Sequence, residues 1–364
     1  MKERTKNIIT LLLIGGMIFG LALWCVLKPA DDTSEAERRP LAQMPEISID
    51  TLLSGKFTSD FEEYAADQFP LREGFRSIKA YAAYYLLRQG DNNGVYIEDG
   101  FASKIEYPLN EDSLDRAAAV FKKVYDKYLA ESSVYFSIIP DKNAFMAKQN
   151  GYPALDYDRL TDIMRENTPF MEYIPIDHLL ELEDYYRTDT HWRQEKILDV
   201  ASCIGEAMGA DISGEYTQAV VDKPFYGVYC GQAALPLPAE TMYYLMSDTL
   251  ADCRVYDHET GKYMGVYDME KAAGHDSYEI FLSGSKSLLT IENPNCNTGK
   301  ELIVFRDSFG GSIIPLMLEG YSTVTVADIR YISSDVLGRF VDFHGQDALF
   351  LYSALVLNNS VTLK

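Results

Sequence analysis

Leu302-Ile303-Val304-Phe305-Arg306-Asp307-Ser308-Phe309, followed by the apolar run through Leu318, is the stretch that decides the fold. Four consecutive apolar residues, Leu302 to Phe305, suit a strand buried on both faces, and Phe309 to Leu318 suits a helix. Ser308 then lies at the carboxyl edge of a strand, where open α/β sheets keep their ligand sites. A helix starting just past Ser308 is expected to aim free backbone N–H groups and its positive dipole end at an anion forming beside the hydroxyl. This is the physics of a nucleophile elbow without the GxSxG signature. Asp and Ser at such a junction are also ordinary N-caps, so the stretch alone does not identify a site.

The same rhythm extends on both sides. Val134 to Ile139, Leu288 to Ile291, Val324 to Val326 and Leu349 to Leu351 are further apolar runs, separated by helical patterns such as Arg193 to Met208. Continuous apolar runs fit parallel strands covered on both faces, so the expectation is an α/β, three-layer, flavodoxin-like sandwich. Asp211 to Lys286 breaks the rhythm with many tyrosines and a hairpin signal around Asp257 to Lys262, and reads as an inserted, partly β segment beside the site-bearing face. Upstream, Phe61, Tyr64, Ala65 and Phe69, then Phe75, Ile78, Ala82 and Tyr85, recur at helical spacing. They predict two amphipathic helices whose aromatic stripe belongs to a core.

A second short motif supplies what Ser308 lacks. Asp189-Thr190-His191-Trp192 places a carboxylate two residues before an imidazole, so an extended backbone points both to one side. A serine hydroxyl attacks an acyl carbon well only when an imidazole takes its proton and a carboxylate holds that imidazole in place. Asp189, His191 and Ser308 are therefore the candidate acid, base and nucleophile. His178, His258, His275 and His344 have no comparable acidic and aromatic frame.

The 364 residues, 47 % of them hydrophobic, are sufficient for a large folded domain, and the formal charge of -22 argues against a nucleic-acid partner. Ile8 to Leu27 is an uncharged apolar run preceded by Lys2, Arg4 and Lys6, which predicts a cytoplasmic N-terminus of residues 1–7 and a single transmembrane anchor over 8–27. A cleaved signal peptide is the rival, but Trp24-Cys25-Val26-Leu27-Lys28 offers neither a small-x-small site nor a small residue before Cys25. Residues 28–56, rich in charge and proline, read as a juxtamembrane tether, and 57–364 as the extracytoplasmic domain with its insertion at 211–286. Cys203, Cys230, Cys253 and Cys296 show no close CxxC pair, so no metal site is expected, and their possible disulfides stay open among three pairings.

These landmarks, with others in order, resemble the DHHW family and through it the SGNH-hydrolase-like, alginate-type polysaccharide O-acetyltransferases. The resemblance runs through Glu37-Arg38-Arg39-Pro40-Leu41, Asp67-Gln68-Phe69-Pro70-Leu71-Arg72, Pro140-Asp141-Lys142 and the Asp189 to Trp192 tetrad. It continues in Tyr278-Glu279-Ile280-Phe281-Leu282, Arg306 to Gly310 and Asp328-Ile329-Arg330-Tyr331. It implies an SGNH-like fold, an acyl-serine on Ser308, and a base that precedes the nucleophile in sequence, as in the alginate-type enzymes. It further implies transfer of an acetyl group to a cell-surface polysaccharide, a membrane-bound O-acyltransferase as donor partner, and no soluble cofactor. Arg330, Tyr331, Trp192 and Lys142 are the candidate substrate-binding residues. Thr190 departs from the name-giving tetrad without disturbing the Asp-x-His spacing, and Arg306 replaces the Gly of Gly-Asp-Ser, which bears on the oxyanion hole. A carbohydrate esterase with the same triad, and a non-catalytic adaptor binding glycan or transporter, are the alternative readings.

Overall fold

Strands whose every side chain is apolar must be covered twice, and the central strands of this chain are. The structure, a computed structural model, describes residues 3–34 and 36–364; Lys2, one of the cations before the apolar run, lies outside the described residues. The chain divides into two compact units, one formed by 1–93 with 230–236 and the other by 94–229 with 237–364.

The first unit opens with α1 (Glu3–Leu27), a 25-residue helix long and apolar enough to cross a membrane, with none of its residues buried. Three helices follow, α2 (Ile49–Leu53), α3 (Lys56–Asp67) and α4 (Arg72–Tyr81), the last continued by a π-helical turn over Ala82–Leu86. The segment read as a tether holds them together: Thr33–Ser34 pairs with Arg39–Pro40, and the Arg39 guanidinium grips Asp67 through two bonds of 2.8 and 2.6 Å. Glu37 in turn meets Arg72 at 2.5 Å and Arg76 at 3.1 Å. The Arg39 contact holds the Asp67 carboxyl down at about 2. Two motifs quoted above are thus the two halves of one ion-pair staple. The expected core stripe is not buried: Phe75 is 46 % and Ile78 67 % exposed. The helix instead turns Ala80, Ala83 and the paired Arg72 and Arg76 inward, because the staple claims its charged face.

The second unit is built on an eight-stranded mixed sheet. In chain order its strands are β1 (Val134–Ile139), β2 (Glu172–Tyr173), β3 (Arg254–Asp257), β4 (Lys262–Met264), β5 (Leu288–Glu292), β6 (Glu301–Arg306), β7 (Thr323–Ala327) and β8 (Asp347–Ser353). Their spatial order is β4-β3-β5-β7-β6-β8-β1-β2. β7, β6, β8, β1 and β2 are mutually parallel, with Val304 of β6 opposite Val326 and Leu349. Side chains alternate across the sheet. Leu302 and Val304 join a core beneath α7 (Leu198–Ala207) and α8 (Gly310–Met317), and Ile303 and Phe305 join one beneath α5 (Glu111–Val124) and α6 (Tyr157–Asn167).

Three expectations need correction. Leu288 to Glu292 is antiparallel to β7, since a run covered on both faces carries no mark of direction. The parallel strands run β2-β1-β8-β6-β7, with the last strand in the middle, instead of the flavodoxin order 2-1-3-4-5. The inserted segment is not merely beside the sheet: its hairpin, with Tyr256 opposite Tyr263, extends the sheet edge as β3 and β4.

Candidate active site

β6 ends at Arg306 and α8 begins at Gly310, so Asp307, Ser308 and Phe309 form the turn at the carboxyl edge of the sheet. Asp307 is fully buried and holds that turn: Oδ1 accepts from the Phe309 amide at 3.0 Å, and Oδ2 accepts from the amide and hydroxyl of Ser353 at 2.8 and 2.6 Å. Gly310 must be glycine, since a Cβ there would stand 2.6 Å from Arg306 Cβ. Ser308 is left half-buried at the surface of the turn.

Its hydroxyl lies 2.8 Å from His191 Nε2, and His191 Nδ1 lies 2.7 Å from Asp189 Oδ1. Asp189 is buried, and His191 keeps 9 % of its surface. Oδ1 of Asp189 also accepts the His191 amide at 3.1 Å, while Oδ2 accepts the Val228 amide at 2.8 Å. With its lone pairs so occupied, the carboxylate fixes the imidazole with a proton on Nδ1 and a free lone pair on Nε2 toward the hydroxyl.

The loop carrying this pair is held from the inserted segment. Glu240 accepts the amides of Arg187 and Thr188 at 2.7 Å each and the Thr188 hydroxyl at 2.6 Å. Gly227 donates its amide to Thr188 Oγ1 at 2.9 Å and passes so close that a Cβ would lie 2.1 Å from Thr188 O. Tyr278 stacks on the imidazole, rings 4.0 Å apart and 10° from parallel, and its hydroxyl shares a 2.8 Å bond with Ser312 of α8. Burial keeps that phenol well above its ordinary range, so it remains a neutral partner.

Of the predicted residues, the structure joins Ser308, His191 and Asp189 in one hydrogen-bonded chain. Trp192 has no exposed surface; its indole N–H donates to Ser312 Oγ at 2.9 Å and to Phe309 O at 3.2 Å, so it anchors α8 from below. Lys142 is 1 % exposed and donates to the carbonyls of Tyr186 and Arg187 at 2.9 and 3.2 Å, bracing the chain just ahead of Asp189. These two were expected at the substrate face, and backbone carbonyls and a hydroxyl inside the fold take their donors instead. Arg330 and Tyr331 follow β7 at the same sheet edge as Ser308; Arg330 makes bonds of 2.9 and 2.6 Å to Asp328, and Tyr331 is exposed.

The amides expected to be free just after Ser308 are engaged within the turn: Phe309 with Asp307 Oδ1, Gly310 with Asp307 O at 3.2 Å and Gly311 with Ser308 O at 3.1 Å. Arg306 does not fill the gap directly. It is buried, which lowers its pKa, and its Nη1 and Nη2 donate to Asp307 O at 3.2 Å and Gly284 O at 2.9 Å. It thereby ties the turn to Leu282, Ser283 and Gly284, three successive residues at positive φ. Glu240, Gly227, Tyr278 and Ser353 escaped the sequence reading as parts of the site. Only Tyr278 carried a signal, as the first residue of a quoted motif. Among the described residues there is no group of three or more metal-ligating side chains.

No protein-family model matches the chain, and no curated protein sequence matches it. Solved structures do. A DHHW family protein from Eubacterium siraeum overlays with a TM-score of 0.61 at 17 % identity, covering 73 % of this chain and 93 % of that one. Bacillus cereus PatB1, in a structure with a sulfonyl adduct, overlays with a TM-score of 0.58 at 18 % identity, covering 72 % and 95 %. The O-acetyltransferase domain of Pseudomonas putida AlgJ overlays with a TM-score of 0.46 at 11 % identity, covering 73 % and 92 %. The chain thus has the fold of a DHHW family protein and of PatB1.

Proposed function

We propose that the protein is a membrane-anchored, extracytoplasmic O-acetyltransferase that carries an acetyl group on Ser308 and passes it to a hydroxyl of a cell-surface polysaccharide. The observation that carries this reading is the chain of 2.8 and 2.7 Å contacts from Ser308 through His191 to Asp189. Ser308 Oγ attacks the acyl carbon while His191 Nε2 takes the hydroxyl proton, and the imidazolium is stabilised by Asp189. The same proton goes to the departing donor group, leaving an acyl-serine. A sugar hydroxyl then gives its proton to His191 and takes the acyl group, and the proton returns to Ser308 as that bond breaks. With the Phe309, Gly310 and Gly311 amides engaged, the part of the oxyanion's stabilisation assigned to α8 is the dipole of the helix as a whole. Tyr331 and Arg330, at the same edge, are the side chains we assign to the acceptor sugar.

A helix with the length and polarity of α1 supports anchoring with residues 1–7 cytoplasmic, and the acyl donor on the outer side is a membrane-bound O-acyltransferase in this reading. No cofactor is required, because each proton moves between Ser308, His191 and the two substrates. The test is product analysis after supplying an activated acetyl ester with and without a polysaccharide acceptor. Acetylated polymer is the expected product. Release of acetate alone at an unchanged rate would make the protein an esterase.

A further inference from the structure

The α4 helix of the first unit is turned the unusual way round. Leu71, Phe75, Ile78, Tyr85 and Leu86 fall on one stripe at helical spacing and are 61 %, 46 %, 67 %, 51 % and 78 % exposed, while the opposite side is buried with its arginines paired to Glu37. A helix in water normally does the reverse. Exposed stripes of this size in a soluble chain mark contact with something apolar. In α2, Ile49 and Leu53 are also exposed, at 76 % and 84 %.

The occupant is indicated by the chain itself. α1 ends at Leu27, and four residues later Asp31 is bonded both ways to Gln68, its amide to Gln68 Oε1 at 2.8 Å and its carbonyl to Gln68 Nε2 at 2.8 Å. Gln68 caps α3 and stands three residues before Leu71, the first member of the stripe. At no more than about 3.5 Å per residue, and adding the span of the Asp31–Gln68 bonds, Gln68 at the bend between α3 and α4 is held within about 20 Å of the end of α1. If α1 spans a bilayer, that keeps the stripe within reach of the interface, where apolar helical faces with tyrosines lie in the plane of the headgroups.

We propose that the outward apolar face of α4 docks on the bilayer that α1 enters, so that the protein is held to the lipid surface by an interfacial helix as well as by its span. The inference rests on reading α1 as a spanning helix, and the test separates the two. The full chain is placed in nanodiscs of phosphatidylethanolamine and phosphatidylglycerol, with and without nitroxide-labelled phospholipid. Native Trp24 reports on α1, and buried Trp192 is common to every sample. Ile78→Trp adds an indole on the stripe, and Leu86→Trp repeats the measurement should the first variant fold poorly. We expect the added indole to emit to the blue and to lose emission to labelled lipid as Trp24 does. Quenching of Trp24 with no loss from either added indole would overturn the docking and leave the span intact, with the stripe then assigned to a protein partner or a second copy. Absence of quenching even at Trp24 would overturn both.

Discussion

Gly227→Ala should cripple the site without replacing any residue of the hydrogen-bonded chain. The added Cβ would stand 2.1 Å from Thr188 O and 2.3 Å from Asp189 N, both main-chain atoms that cannot swing away. Relief to an ordinary contact requires a shift of about 1 Å, since overpacked cores respond by moving backbone. The next residue is Val228, whose amide reaches Asp189 Oδ2 at 2.8 Å. A displacement of about 1 Å takes that bond out of range. Losing a hydrogen bond to a charged group costs about 1.5–3 kcal/mol, and the overpacking adds about 1–3 kcal/mol. Because misplacing a catalytic group by about 1 Å costs on the order of 100-fold, acylation should fall by that factor. The assay is single-turnover acetylation by an activated acetyl ester, read by intact-protein mass spectrometry alongside urea denaturation. Acylation within about twofold of wild type together with an unfolding free energy within about 0.5 kcal/mol of it would refute the claim that this close approach holds Asp189.

Two further outcomes follow from the same geometry. Glu240→Gln replaces an acceptor of three donors by an amide that must present N–H to N–H, so acylation should drop by about 10-fold or more while far-ultraviolet dichroism stays native; an unchanged rate would mean the loop is fixed without Glu240. Burial pushes the Asp141 carboxyl up to about 6, against the hydrogen bond it accepts from Tyr157, which pulls it down. An unfolded aspartate titrates near 3.9, so between these values the folded state binds more protons. The contribution of Asp141 to stability should be full below about pH 4 and decline by about 3 kcal/mol as pH rises through about 6. Denaturation midpoints across that range should slope in wild type and flatten in Asp141→Asn; equal slopes would remove Asp141 as the cause.

What the sequence disclosed was local. The Leu302 to Leu318 stretch announces a strand, a turn and a helix because its apolar runs are contiguous, and the Asp189 and His191 pair lies within one motif. What it concealed depends on pairing at a distance. Leu288 to Glu292 looks like its parallel neighbours because both faces are covered, and nothing in the run records its direction. The helix expected from Arg193 starts only at Leu198, since Gln194 spends its side chain on Ser312 O and the Leu245 amide, both at 2.8 Å. Glu240 and Gly227 read as ordinary loop residues, and their roles exist only once the inserted segment folds back on Thr188. The aromatic stripe of α4 obeys helical periodicity whether it faces a core or a lipid surface, so spacing could not say which.

The central claim is that Ser308 carries the acyl group, and the most direct measurement is peptide mass spectrometry after brief exposure to an activated acetyl ester. Wild type should show one added acetyl on the peptide containing Ser308, lost on addition of polysaccharide acceptor. Ser308→Ala should show none, and His191→Ala should accumulate it at a rate lower by several orders of magnitude, since members of such a unit fail together. Acetylation that persists in Ser308→Ala, or acetylated polysaccharide in cells holding only that variant, would contradict the account.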